Sequence, residues 1–321
     1  MQMIGERRLV QSGDVRLSVQ VAGTGPLVIM MHGWPELAWS YRHQIGPVAE
    51  AGYTVAVPDM RGYGGSSKPD DPSLYSTDHS VDDMAAIARA LGHDTWVAVG
   101  HDWGSPVAWR CALRLPEQVR AIFSLSVPHY LGVNAPSLAA IDAAFPDSFF
   151  YMRYFQDIGV GEAELGRDPR AALRKIFYSL SGDAPLFDWM KPRPRNSTLL
   201  DGLAEPPPGP LSFMSDEELD IYAAAFAENG FFGPLCWYRT LAANAAQATA
   251  LGSQIVQQPA GVLCGDREIV LAMFENVLAE SRKLCADLRT EIVLPGAGHW
   301  IQQERPAEVN AALIRFLNEV H

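Results

Sequence analysis

The chain predicts an α/β fold in which a mostly parallel sheet, flanked by helices, is interrupted by a helical insertion. Three observations predict it. Short β-branched apolar runs alternate with helical stretches through the first part of the chain and again after about residue 250, the rhythm of crossover units. Between roughly Pro128 and Leu251 strand-like runs vanish and the segment turns aromatic-rich, helical and punctuated by prolines. The run Val97-Ala98-Val99 passes through Gly100-His101-Asp102-Trp103-Gly104 straight into a helical stretch, so strand, sharp turn and helix follow one another directly. The expected division is a core from residues 1–129 and 251–321, with a helical cap from 130–250.

Size and composition narrow the class. With 321 residues, 48% hydrophobic and 19% charged, the chain can bury a sizeable core and lacks the signature of disorder. Lys and Arg total 25 against 37 Asp and Glu, and the net charge of −12 argues against nucleic acid or an anionic membrane and fits a small neutral substrate. Charges at Glu6, Arg7, Arg8, Asp14 and Arg16 leave no apolar leader near the start, so a cytoplasmic location is expected. Cys111, Cys236, Cys264 and Cys285 show no metal-ligand spacing, so buried free thiols are expected. No metal or organic cofactor is expected.

In order, Arg7 to Val21 reads as a hairpin about Ser12-Gly13-Asp14, and Leu27 to Met31 as a buried strand. That strand runs into His32-Gly33-Trp34-Pro35-Glu36, where Gly33 permits unusual backbone angles and Pro35 ends the strand. A helix is expected over Ser40 to Ala51 and a strand over Tyr53 to Pro58. The glycine-rich loop that starts at Asp59-Met60-Arg61 follows, and Asp59 and Arg61 are expected to pair or to brace the turn at Asp102. A helix over Val81 to Leu91 precedes the strand into that turn, and a strand from Val119 to Val127 comes after it. Within the insertion, residues 191–210 hold too many prolines for a helix, so a long loop is expected. The parallel pattern resumes at Ala260 to Cys264, with a helix from about Val270 to Leu284, a strand from Thr290 to Leu294 and a closing helix from Pro306 to Val320.

The chemistry centres on Asp102. Gly-x-Asp-x-Gly between strand and helix has the form of a nucleophile elbow, although an aspartate there also suits a helix cap. A carboxylate can attack a saturated carbon and form an ester that water then cleaves, which a serine ether would not permit. In hydrolases built on such an elbow, nucleophile, acid and histidine follow in that order. Asp102, then Glu268 or Asp266, then His299 satisfy it, and the backbone N–H groups of Trp34 and Trp103 are the candidate oxyanion donors.

Four segments, His32 to Glu36, Asp59 to Gly64, Gly100 to Gly104 and Gly298-His299-Trp300, resemble the signatures of the soluble epoxide hydrolases of the α/β-hydrolase superfamily, along nearly the whole chain. The cap segments Phe150 to Gln156 and Asn229 to Arg239 sharpen the likeness. It implies that Tyr151 and Tyr238 hydrogen-bond the epoxide oxygen, with Tyr154 as the fallback for Tyr151, and that a small neutral epoxide is the partner. A second copy of the chain is a candidate partner. The family has aspartate near the position of Glu268, so this chain departs there, and alignment of the following apolar run favours Glu268 over Asp266. Haloalkane dehalogenases, which also resemble the chain, usually carry Asn at the position of Trp34 and lack the paired tyrosines. A catalytically silent receptor on the same scaffold would be marked by a missing triad member.

Overall fold

A computed structural model describes residues 3–129, 138–185, 191–274 and 276–320. Tyr130, the first expected cap residue, and His321 lie outside them. The chain opens with a hairpin, β1 (Glu6–Ser12) and β2 (Val15–Ala22), because Gly13 takes a left-handed φ of 54° at the tight turn. Then come β3 (Leu27–Met31), α1 (Arg42–Glu50), β4 (Thr54–Pro58), α2 (Thr77–Ala90), β5 (Trp96–His101), α3 (Gly104–Arg114) and β6 (Val119–Leu125). Every residue of β3, β4 and β5 is buried, as strands covered by helices on both faces must be.

Helices fill the middle of the chain. They are α4 (Leu138–Ala144), α5 (Tyr151–Tyr154), α6 (Val160–Gly166), α7 (Pro169–Ser179), α8 (Asp216–Asn229), α9 (Phe232–Arg239) and α10 (Leu241–Ala250). The core resumes with β7 (Val256–Gly265), α11 (Ile269–Met273), α12 (Val277–Lys283), β8 (Cys285–Leu294), α13 (Ile301–Glu304) and α14 (Pro306–Val320).

Among the described residues, eight strands form one sheet in the order β1-β2-β4-β3-β5-β6-β7-β8. β1, β2 and β4 pair antiparallel in succession, and every other neighbouring pair is parallel. The chain steps from β3 outward to β4 and then back past β3 to β5, which puts the switch of direction between the two central strands. Register aligns their ends: Met31 lies opposite Gly100, and His101 opposite Leu125. The loops that leave β3, β5, β6 and β7 therefore crowd one edge of the sheet.

Several expectations shift. Asp59 and Arg61 do not pair. Asp59 accepts the backbone N–H groups of Ala38 and Gly65, while Arg61 makes a fully buried ion pair with Asp83 at 2.8 Å. The helix expected over Val270 to Leu284 is two helices, parted where Asn276 takes a left-handed φ of 60°. β6 ends at Leu125, since Ser126 turns to a φ of 66°. β8 begins at Cys285, earlier than Thr290, because charged residues such as Asp287 and Arg289 are tolerated on an edge strand and hide its alternation.

The helical insertion is bolted to the sheet by buried polar contacts. Arg42 of α1 donates through Nε to Glu218 of α8 at 2.6 Å and through Nη1 to Gln303 at 2.6 Å, and Ser40 shares a hydrogen bond with Tyr222 at 2.8 Å. On its far side the proline-rich loop is held by Glu164, whose carboxylate accepts the N–H groups of Leu199 and Leu200.

Candidate active site

The turn after β5 is a place where almost no side chain fits. A Cβ on Gly100 would strike the Gly104 carbonyl, one on Gly104 the Met31 carbonyl, and one on Gly33 the Asp102 carboxylate. That crowding drives Asp102 into the left-handed region at φ 50°, a conformation that costs a residue with a Cβ about 1–2 kcal/mol. The strain tips the carboxylate out over the sheet edge, and α3 starts two residues later. Asp102 is therefore more than a helix cap.

Three elements converge on that carboxylate. The backbone N–H of Trp34, from the loop after β3, donates to Oδ1 at 2.6 Å. On the other side, His299 Nε2 lies 3.3 Å from Oδ2. His299 Nδ1 faces both oxygens of Glu268, at 2.9 and 3.0 Å, and Glu268 is fixed in turn by the N–H of Val270 as the cap of α11. The longer glutamate reaches the histidine from this cap position. Asp266 does not take part, being exposed and turned back onto the N–H of Gly296. Trp103 N–H sits at the N-terminal end of α3 beside Asp102, and no acceptor holds it among the described residues.

The electrostatics follow from this sandwich. Burial opposes charge on His299, but the carboxylates of Glu268 and Asp102 outweigh it and raise its pKa well above the ordinary histidine value. The imidazole thus lies between two carboxylates that favour its protonated form. Its backbone is clamped as well. The His299 carbonyl accepts from Ser126 Oγ and His101 Nε2, both at 2.7 Å, and its N–H donates to Leu180 O of the insertion at 2.8 Å. Glu304 accepts the N–H groups of Gly298, Trp300 and Gly182, tying the histidine loop to the insertion.

Sequence reasoning missed one polar chain. Glu36, fully buried, accepts from Gly33 N–H and from His101 Nδ1 at 2.6 Å, so the loop bearing Trp34 is coupled through His101 to the carbonyl of His299. Burial opposes ionisation of Glu36, yet the adjoining His101 pulls its pKa down to about 2. Both residues lie inside motifs that sequence singled out, but nothing in the sequence shows that partners 65 residues apart would meet.

From the insertion come the aromatics. Tyr151 and Tyr238 face each other edge to face with ring centroids 5.8 Å apart, and the Tyr238 ring also stands edge-on to Trp103 at 5.1 Å and Trp34 at 5.9 Å. Burial, followed by the charge of Asp102, raises the pKa of both phenols far above the usual tyrosine value, so both stay protonated. Tyr154 points elsewhere, its hydroxyl donating to Glu164. A cavity of about 90 Å³, mostly apolar, is lined by Asp102, His299, Trp34, Trp103, Tyr151 and Tyr238 together with aliphatic residues of both layers. No group of three or more His, Cys, Asp or Glu side chains among the described residues is arranged to hold a metal.

The chain resembles known proteins along nearly its whole length. Residues 26–306 match the family described as alpha/beta hydrolase fold. The chain is 39% identical over 315 residues to epoxide hydrolase A of Mycobacterium tuberculosis, spanning 97% of this chain and 96% of that protein. It superposes with a TM-score of 0.90 and 39% identity on the crystal structure of epoxide hydrolase A from Mycobacterium thermoresistibile, covering 98% of each chain. An epoxide hydrolase from an endophytic Streptomyces gives 0.91 at 34% identity, with 98% of this chain and 96% of that one covered.

Proposed function

The chain belongs to the epoxide hydrolases of the α/β-hydrolase family, and from that premise we propose how its own residues convert an epoxide and water into a vicinal diol. The observation that carries the reading is a strained carboxylate with one oxygen held by a backbone N–H and the other beside a histidine, in a cavity that two phenols also line.

Asp102 Oδ2 attacks a ring carbon, the carbon–oxygen bond of the epoxide breaks, and the departing alkoxide takes a proton from Tyr151 or Tyr238 while the other phenol donates a hydrogen bond. The product is an alkyl ester on Asp102. Esterification removes one of the two carboxylate charges that raise the pKa of His299, so the imidazolium gives up its proton, which restores the phenol deprotonated in ring opening, and becomes the base the next step needs. His299, oriented by Glu268, then takes a proton from water, and the resulting hydroxide attacks the ester carbonyl. The oxyanion that develops on Oδ1 meets the N–H of Trp34 and of Trp103, and its collapse breaks the bond to the substrate oxygen, which takes the proton from His299 and leaves as the diol.

We assign residues 130–250 to a cap that carries the phenols and closes the pocket over the core formed by 1–129 and 251–321. Cys111, Cys236, Cys264 and Cys285 are free and buried, which supports a reducing, cytoplasmic setting. No helix among the described residues is long and apolar enough to cross a membrane.

A panel of aryl and alkyl epoxides beside matched haloalkanes, scored for diol and for halide, tests the reading. Diol from epoxides without halide release is expected. Halide release alone would replace this reading with dehalogenation.

A further inference from the structure

The cavity around Asp102 is not uniform. Toward the acid loop its wall is hydrocarbon, where Val127, Val270, Ile269 and Phe274 pack together in a small cluster of their own. Its lining also includes Thr77, Arg110 and Asn244, and Asn244 meets both of the others. Asn244 Oδ1 accepts the N–H of Thr77 at 2.8 Å, and the Asn244 carbonyl accepts from Arg110 Nη2 at 3.2 Å.

A buried guanidinium in an apolar pocket needs a reason. Arg110 is only 3% exposed, and burial pulls it below its ordinary pKa against the opposing pull of Asp78, although an arginine remains charged. Its protein partners leave it under-satisfied. Asp78 Oδ1 is 3.4 Å from Nη1, a long contact, and Arg114 competes for the same carboxylate at 3.7 Å. Among the described residues no acceptor takes the Nε–H. An arginine presents five donors in a fixed fork, so donors remain for a ligand.

Position makes this useful. Arg110 lies six residues beyond Gly104, the first residue of α3, which is roughly 9 Å along the helix axis. Pro106 and Arg110 share one face of that helix and both line the cavity. A chain of several methylenes spans that distance.

Resting on the epoxide hydrolase reading, we propose that Arg110, with Thr77 and Asn244, forms a subsite for an oxygen acceptor, a carboxylate or an ester carbonyl, on the substrate arm remote from the ring. The hydrocarbon arm then lies against Val127, Val270 and Phe274. An unsymmetrical epoxide is thereby held in one direction, and Arg110 is a specificity-determining residue.

The test compares kcat/KM for 1,2-epoxyalkanes, ω-epoxyalkanoates and their methyl esters over chains of six to twelve carbons, using the full chain. Wild-type enzyme should prefer the acid or the ester over the alkane of equal length by about tenfold, the return of one charge-assisted hydrogen bond, with the preference peaking at one chain length. Arg110→Leu should collapse that ratio toward one, and Arg110→Lys should keep part of it. Thr77→Val, nearly isosteric, should lower the ratio severalfold and serves if Arg110→Leu fails to fold. No preference at any length, or a preference that survives these substitutions, would overturn the subsite while leaving the epoxide reading intact. Absence of diol from every epoxide would overturn both.

Discussion

The two halves of the site are built differently. The sheet half supplies Asp102, His299, Glu268 and Trp34 from loops at the ends of buried strands, each fixed by backbone geometry or by hydrogen bonds between 2.6 and 3.3 Å. The insertion supplies Tyr151 and Tyr238 on short helices held mainly by ring packing, and it reaches the sheet through a few polar bolts, Arg42 to Glu218 and Glu304 to Gly182 among them. The contrast separates two tasks. Carbon–oxygen bond formation and ester hydrolysis need sub-ångström placement, which a sheet edge provides. In the proposed mechanism, protonating the leaving oxygen falls to two phenols above the pocket, carried by aromatic helices.

The largest effect should come from the sheet half alone. Asp102→Ala should remove turnover by about 10⁴-fold or more while the fold stays intact by circular dichroism, and residual ring opening near the wild-type rate would break the contrast. In wild-type enzyme, a single turnover in heavy-oxygen water should put the label on Asp102 and leave the first diol unlabelled. Next, His299→Gln should stop the reaction halfway, with intact-protein mass spectrometry showing one epoxide mass added per chain. Normal steady-state turnover in that variant would show that the base lies elsewhere.

Removing the insertion's contribution should be somewhat milder. Tyr151→Phe with Tyr238→Phe should slow burst-phase ring opening by roughly 10²–10⁴-fold. It should leave hydrolysis of ester already formed within a few-fold, and an equal loss in both steps would erase the distinction between the halves. The bolts come after that. Glu304→Ala leaves the N–H groups of Gly182, Gly298 and Trp300 without their acceptor, and about 1–3 kcal/mol of stability should go, read from urea unfolding.

The smallest effect is one of pH. His299 binds its proton more tightly folded than unfolded, so its contribution to stability is complete below the ordinary value of 6.5 and fades as pH rises through the raised folded value. The Tm of wild-type enzyme should fall relative to that of His299→Gln as pH climbs above neutrality. A constant difference would show that the imidazolium pair is absent at rest.

Much of this was legible in the linear chain because it is local. Apolar runs set β3 to β6, and β4 with its neighbours matched to within a residue or two, since buried parallel strands advertise themselves as continuous hydrocarbon. Glycines mark the turn at Asp102 because only they tolerate the approach of neighbouring backbone. The likeness to relatives supplied Tyr151 and Tyr238, which composition alone would have left as packing.

Tertiary structure alone decided the pairings. It put Glu268 rather than Asp266 against His299 and turned Tyr154 toward Glu164, in the order the sequence already favoured, because a two- or three-residue shift along the chain changes which way a side chain leaves the backbone. It joined Glu36 to His101 and Arg61 to Asp83, and it set Arg110 in the wall of the cavity. Sequence determined which groups were available and where the chain had to turn. Only the register of β3 against β5, and the docking of the insertion upon them, determined which groups touch, because contact energies depend on distances between segments that local propensity does not encode.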